Sequence, residues 1–286
     1  MTRSVVTTFC MLILITTIAT AQNPSPLASP TPAPPSAELG WNNTMVATFN
    51  ISQVSLHNWT QGGENTLAWT FILGGKFLYT AESYTWLNNV KASYGQAKLG
   101  SRNFEKTEDE FFGESIYSKN VGWKVNPYAA LTVKTQFQPG YKVVDGERVQ
   151  TSDFWDPGYL MQSAGFTYAP DESFATRLGV AVKETFSKSY GYAGPDKTVN
   201  VQTGIESGTS TKFTIMENVI YTSQLNLFSA FNMLDVWDVR WDNTFNAKVN
   251  SYLTASLNVL VVHEIAQSRR TQVKQSLAVG LTYTLF

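Results

Sequence analysis

The chain has 286 residues, of which 15% are charged and 13% aromatic, with 8 Trp, 13 Tyr, 17 Phe and a formal net charge of -1. An average soluble domain carries roughly 25% charged residues, so much of this surface is built to face something other than water, and without a basic excess nucleic acid is not an expected partner. Mean hydropathy is -0.15, and no run of about 18 apolar residues follows the N-terminus, which excludes a bundle of transmembrane helices.

Residues 1–21, MTRSVVTTFCMLILITTIATA, join an early Arg3, an apolar run from Val5 to Ile18 and the small-x-small close Ala19-Thr20-Ala21. That pattern predicts a cleaved secretory signal. The single cysteine, Cys10, falls inside it, so the remainder must be held by a large core or a closed sheet rather than by disulfides. Residues 22–40 are rich in proline and predict an extended periplasmic tether. Residues 41–286 are left as one domain.

From Trp41 onward, apolar and polar residues alternate. Trp41, Met45, Phe49 and Ile51 share one face, and Asn42, Thr44, Thr48 and Asn50 the other. Such runs recur at 65–79, 84–95, 109–118, 123–137, 159–169, 173–184, 198–213, 219–231, 236–247, 252–263 and 273–286. About twelve strands result, each near or above the roughly 9–11 residues that a tilted strand needs to cross a bilayer. The runs at 109–118 and 198–213 alternate least. The connections sort by parity: the even-numbered ones, such as TAES, PDES and KVNS, are short, and the odd-numbered ones are mostly long. The expected fold is therefore all-β, an antiparallel transmembrane β-barrel of about 12 strands with short periplasmic turns and longer extracellular loops.

Aromatic residues gather beside the short turns: Phe77, Tyr79, Tyr84, Trp86, Tyr117, Trp123, Tyr128, Tyr168, Phe174, Phe213, Tyr221, Phe245, Tyr252 and Tyr283. They predict a girdle at the periplasmic interface, with both termini in the periplasm. The last run ends on Phe286, as chains inserted into the outer membrane commonly do, although Leu281, Tyr283 and Leu285 share a face that Phe286 does not.

The segment SLHNWTQGGENTLAW, through Asn58, Trp59, Gly62, Gly63, Glu64 and Asn65, resembles the N-terminal signature of a Bacteroidetes/Chlorobi family of outer-membrane β-barrels catalogued as domain of unknown function 3078. NPYAALTVKTQF, PGYLMQSAGFTYAPDESF, ENVIYTSQLNLFSAF and the VGLTYTLF terminus are similar too. The resemblance implies a place in the bacterial outer membrane, contact with its lipid and assembly by the barrel-insertion machinery. It implies no biochemical activity. In this frame the six signature residues form the first outside loop, either as a hairpin tip that satisfies its own hydrogen bonds or as a flap in which Trp59 and Glu64 narrow the mouth.

Chemistry has little to build on. His57 and His263 are the only histidines, and with no cysteine nearby they give no metal-ligand spacing. His263, Glu264 and Ser268 lie close in sequence but lack the setting of a nucleophile and its base, so neither enzyme activity nor a cofactor is expected. Function is expected in the lumen, where Lys134, Lys183, Asp238, Arg240, Asp242, Asn246 and Lys248 point inward by parity. Both signs of charge are present, so these residues either line a narrow channel or binding site for small solutes, or pair across the barrel and fill it as a closed structural or surface-interaction body. A secreted soluble β-domain that binds carbohydrate through exposed aromatics is a third reading.

Overall fold

The alternation read along the chain is realised in a computed structural model, which describes residues 39–57, 63–171, 173–265, 268 and 270–285. The signal and nearly all of the tether, Asn58, Trp59, Gly62 and Phe286 lie outside the described residues. Twelve strands close one antiparallel barrel: β1 (Gly40–Val54), β2 (Thr66–Thr80), β3 (Tyr84–Leu99), β4 (Glu105–Lys119), β5 (Val125–Thr135), β8 (Gly158–Tyr168), β9 (Phe174–Phe186), β10 (Val199–Met216), β11 (Val219–Ala230), β12 (Asp238–Lys248), β13 (Leu253–His263) and β14 (Gln272–Thr284). Two further strands, β6 (Gly140–Val144) and β7 (Glu147–Ser152), form a separate hairpin in the connection between β5 and β8. The barrel order is β1-β14-β13-β12-β11-β10-β9-β8-β5-β4-β3-β2, and β1 joins β14 from Val46↔Thr284 to Asn50↔Gly280. Because β1 and β14 join, the twelve-strand sheet ends in no free edge strand, which is the condition for crossing hydrocarbon as strands.

Alternation sets the two faces. Outward lie apolar side chains such as Leu178 (61% exposed), Val273 (66%) and Leu277 (70%). Inward lie Asn50, Thr70, Asn89, Glu206 and Ser256, each 3% exposed or less. An apolar band outside a polar interior is the arrangement a membrane barrel needs, and a soluble domain would be left with that band in water.

The strands that alternate least exist nonetheless, and the reason is visible. Along β4 the inward positions carry Glu108, Glu110, Phe112, Glu114 and Ile116, which mixes acids with apolar side chains on one face. Along β10 the inward face includes Gly204, Gly208 and Ser210 opposite an outer face with Thr203, Ser207 and Thr209. At Gly208 a Cβ would sit 3.0 Å from the Nε of Arg177, so the missing side chain makes room for that guanidinium.

The connections keep their parity: 81–83, 120–124, 169–173, 217–218 and 249–252 on one side, 55–65, 100–104, 136–157, 187–198, 231–237 and 264–271 on the other. The second long connection is shorter than its sequence suggests, because β3 runs on to Leu99 and β4 starts at Glu105, with a register shift at Gly95/Gln96. On the short side Asp171 Oδ1 accepts from the Ser173 hydroxyl and the Ser173 and Phe174 amides. Those bonds, the hydroxyl's first, hold its carboxyl below the usual range.

Rings follow one another around the same end: Trp41 to Tyr79 at 5.2 Å, Tyr79 to Tyr84 at 5.8 Å, Tyr84 to Tyr117 at 5.2 Å and Tyr221 to Phe245 at 4.7 Å. Tyr128 does not belong to this girdle. It shares the inner face of β5 with Ala130, is 4% exposed, and donates its hydroxyl proton to Glu206.

Candidate functional site: the lumen

Inside the barrel, the short-turn end is packed. Leu78, Leu87, Ile116 and Ala130 sit on neighbouring strands β2, β3, β4 and β5, paired in register Leu78↔Leu87, Leu87↔Ile116 and Ile116↔Ala130, and with Tyr128 they form one buried cluster. Apolar side chains that face inward exclude water there. Against this floor stands Arg177 of β9, whose Nη1 lies 2.9 Å from Glu114 and whose Nε lies 3.2 Å from Glu206. All three side chains are 6% exposed or less. A guanidinium suits the position because its spread charge stands within ion-pair distance of two carboxylates on different strands at once.

Towards the long loops the lumen is crossed by ion pairs. Arg240 Nη2 reaches Glu110 at 3.0 Å, and Lys91 Nζ meets the other oxygen of the same carboxylate at 3.0 Å. β12 and β4 are six places apart in the twelve-strand order, so the Arg240–Glu110 bond joins opposite walls. Lys183 Nζ is shared between Asp238 at 2.8 Å and Glu264 at 2.7 Å, and Lys274 of β14 pairs with Glu108 of β4. Charges enclosed by a barrel must be matched this closely, since an uncompensated one would be costly.

Each residue singled out by parity can be placed. Asp238, Arg240 and Asp242 stand on one face of β12 but do not pair as a ladder among themselves. Asp238 serves Lys183 and Arg240 serves Glu110, while Asp242 accepts from Asn258. Asn246 accepts from Ser256 at 2.7 Å, and Lys248 ends β12 exposed at the short-turn mouth, below this network. Lys134 lies between two cavities and stands 5.8 Å above the Tyr159 ring. Sequence reasoning missed Glu108, Glu110, Glu114, Arg177 and Glu206. The signal was present, because inward parity on β4, β9 and β10 puts every one of these charges in the lumen.

The two cavities occupy the long-loop half. One, of about 160 Å³, is lined by Tyr159, Met161 and Phe228 on one side and by Asp238, His263 and Glu264 at the rim, and it bottoms out on Glu114, Arg177 and Glu206. The other, of about 330 Å³, lies beside Glu108, Glu110, Gln136 and Tyr192.

In the first loop Gly63 has a φ of 119°, Asn65 Oδ1 accepts from the Leu56 amide at 2.7 Å, and the Asn65 carbonyl accepts from Gly100 at 2.7 Å. Glu64 turns to the next long connection, 3.5 Å from Arg102. This part of the signature thus ties two loops together. His263 Nδ1 lies 3.1 Å from the Thr271 hydroxyl, and Glu264 is engaged by Lys183.

Residues 51–141 match the family described as "Protein of unknown function (DUF3078)", the family that the first-loop motif resembles. No curated protein sequence matches the chain. Among solved structures, an outer membrane channel from Pseudomonas putida F1 is similar at 9% identity and a TM-score of 0.41, over 87% of this chain and 96% of that one. The translocator domain of the autotransporter NalP from Neisseria meningitidis gives 9% and 0.40, over 87% and 89%. The CymD monoaromatic hydrocarbon channel gives 8% and 0.33, over 87% and 89%. Likenesses this loose carry no residue or activity across.

Proposed function

We propose that this barrel, with a DUF3078 segment across its first strands, resides in the bacterial outer membrane and takes up small solutes into a lumenal site from the long-loop side, without conducting in its resting state. The observation that carries the reading is the Arg240–Glu110 bond between opposite walls. Beneath it, the Arg177 pairs and the Leu78–Leu87–Ile116 floor stand in any path to the short-turn end. A water-filled pore needs a continuous polar path, and here the polar groups are spent on one another.

In this reading residues 1–21 are the export signal, 22–40 the tether, and both termini face the periplasm. Insertion follows the route of other outer-membrane barrels, and lipid covers the apolar band. The test is ionic current across a planar bilayer holding the folded chain, first checked by different gel migration before and after boiling. Folded protein without stepwise current is expected. Steady stepwise current at low voltage would overturn the closed resting state and restore an open channel.

A further inference from the structure

The two lumenal cavities meet at one side chain. Lys134 lines both, and with it stand Arg177, Lys183, Arg240 and Lys274. Among the described residues each of those four has a carboxylate within 3.2 Å, and Lys134 has none within 4.0 Å. The two acids whose charge is felt at Lys134 are paired elsewhere: Glu110 with Lys91 and Arg240, and Glu264 with Lys183. The contact seen for its ammonium is the face of Tyr159, at 5.8 Å, and the same ring receives Lys183 at 5.7 Å. An ammonium inside a barrel that faces a ring, with no carboxylate of its own within 4.0 Å, is a charge that a bound anion would complete.

The walls around it say what else the counterion carries. Between the paired charges of its rim and floor, the smaller cavity presents Phe112, Tyr159, Met161, Leu227, Phe228 and Val262, an apolar wall that holds no anion by itself. At about 160 Å³ it is well below the roughly 300–1,000 Å³ of pockets for drug-sized ligands, and it fits a single ring or a short branched chain.

We infer that Lys134 is the anchor of a binding site for small amphipathic carboxylates, with the carboxylate on its ammonium and an aromatic or branched apolar body against Tyr159, Met161 and Phe228. This rests on the solute-binding reading above and names the ligand class of that site. Binding is non-covalent, and the ion pair it makes replaces the missing protein anion without disturbing the paired charges on either side.

The experiment uses the full barrel folded in nanodiscs, with benzoate as the probe, toluene as its uncharged counterpart and inorganic phosphate as an anion without an apolar body. Calorimetric titration should show benzoate binding, with toluene and phosphate each at least about ten-fold weaker. Lys134→Met should weaken benzoate at least about ten-fold and leave toluene unchanged, while Lys134→Arg keeps benzoate within about three-fold. Equal benzoate binding in Lys134→Met, phosphate binding as tight as benzoate, or no benzoate binding by a barrel that migrates as folded would each overturn the site. Those failures are separate from failure of the closed resting state, which is read from current with no ligand present.

Discussion

The two halves of the lumen are closed by different chemistry. At the short-turn end four inward apolar side chains on adjacent strands pack into a dry floor, and Arg177 holds two carboxylates in an enclosure at most 6% exposed. At the long-loop end the pairs of Lys183 and Arg240 are as short but stand around cavities, with side chains up to 28% exposed. The lesson is that the same residue types play opposite parts at two depths. Where water is excluded an ion pair is structural, because losing either partner strands a charge. Where a cavity reaches the rim, water can solvate the partner left behind, so breaking a pair there costs less.

Variants can break this contrast, beginning with the deepest. Arg177→Met leaves Glu114 and Glu206 buried without their cation and should destabilise the fold by about 3–5 kcal/mol, seen as a lower urea midpoint for loss of the fast-migrating form. Ile116→Ala opens a void in the floor and should cost about 2–4 kcal/mol in the same assay. Lys183→Met, at the wetter level, frees Asp238 and Glu264 near the rim, and its loss should stay around 1–2 kcal/mol. Were it to match Arg177→Met, the distinction between the halves would collapse. Smallest is Glu64→Ala, whose exposed contact with Arg102 should be worth less than about 1 kcal/mol. Its readout is faster proteolysis of the first two long loops at an unchanged unfolding midpoint.

The sequence made the wall legible and the interior only in part. A bilayer forces one face of every strand to be apolar, so the twelve barrel strands and the sorting of loops by parity could be read from Trp41 onward. Even β4 and β10, whose charged or glycine-rich inner faces blur the alternation, were read as strands, the two that alternate least. The hairpin of β6 and β7 was overlooked inside a long connection, although Asp145-Gly146 between alternating residues is a strong two-residue turn signal, and both adopt positive φ, 52° and 85°. Pairing across the lumen was beyond reach. Arg240 and Glu110 are 130 positions apart, and only the closed order of strands sets them on opposite walls. Tyr128 shows the same limit, because nothing in its neighbourhood along the chain announces Glu206, 78 positions away.

An accessible cavity and a sealed floor meet at a boundary that β5 crosses within one step of its inner face. Thr132 lines the smaller cavity, and Ala130 belongs to the floor cluster. The most direct measurement is the rate at which a small, charged thiol reagent modifies a single cysteine placed at each position in the folded barrel, whose described residues contain no cysteine of their own. Rapid labelling of Thr132→Cys beside protection of Ala130→Cys is the predicted result. Equal rates at the two positions would contradict a lumen that is open above and closed below.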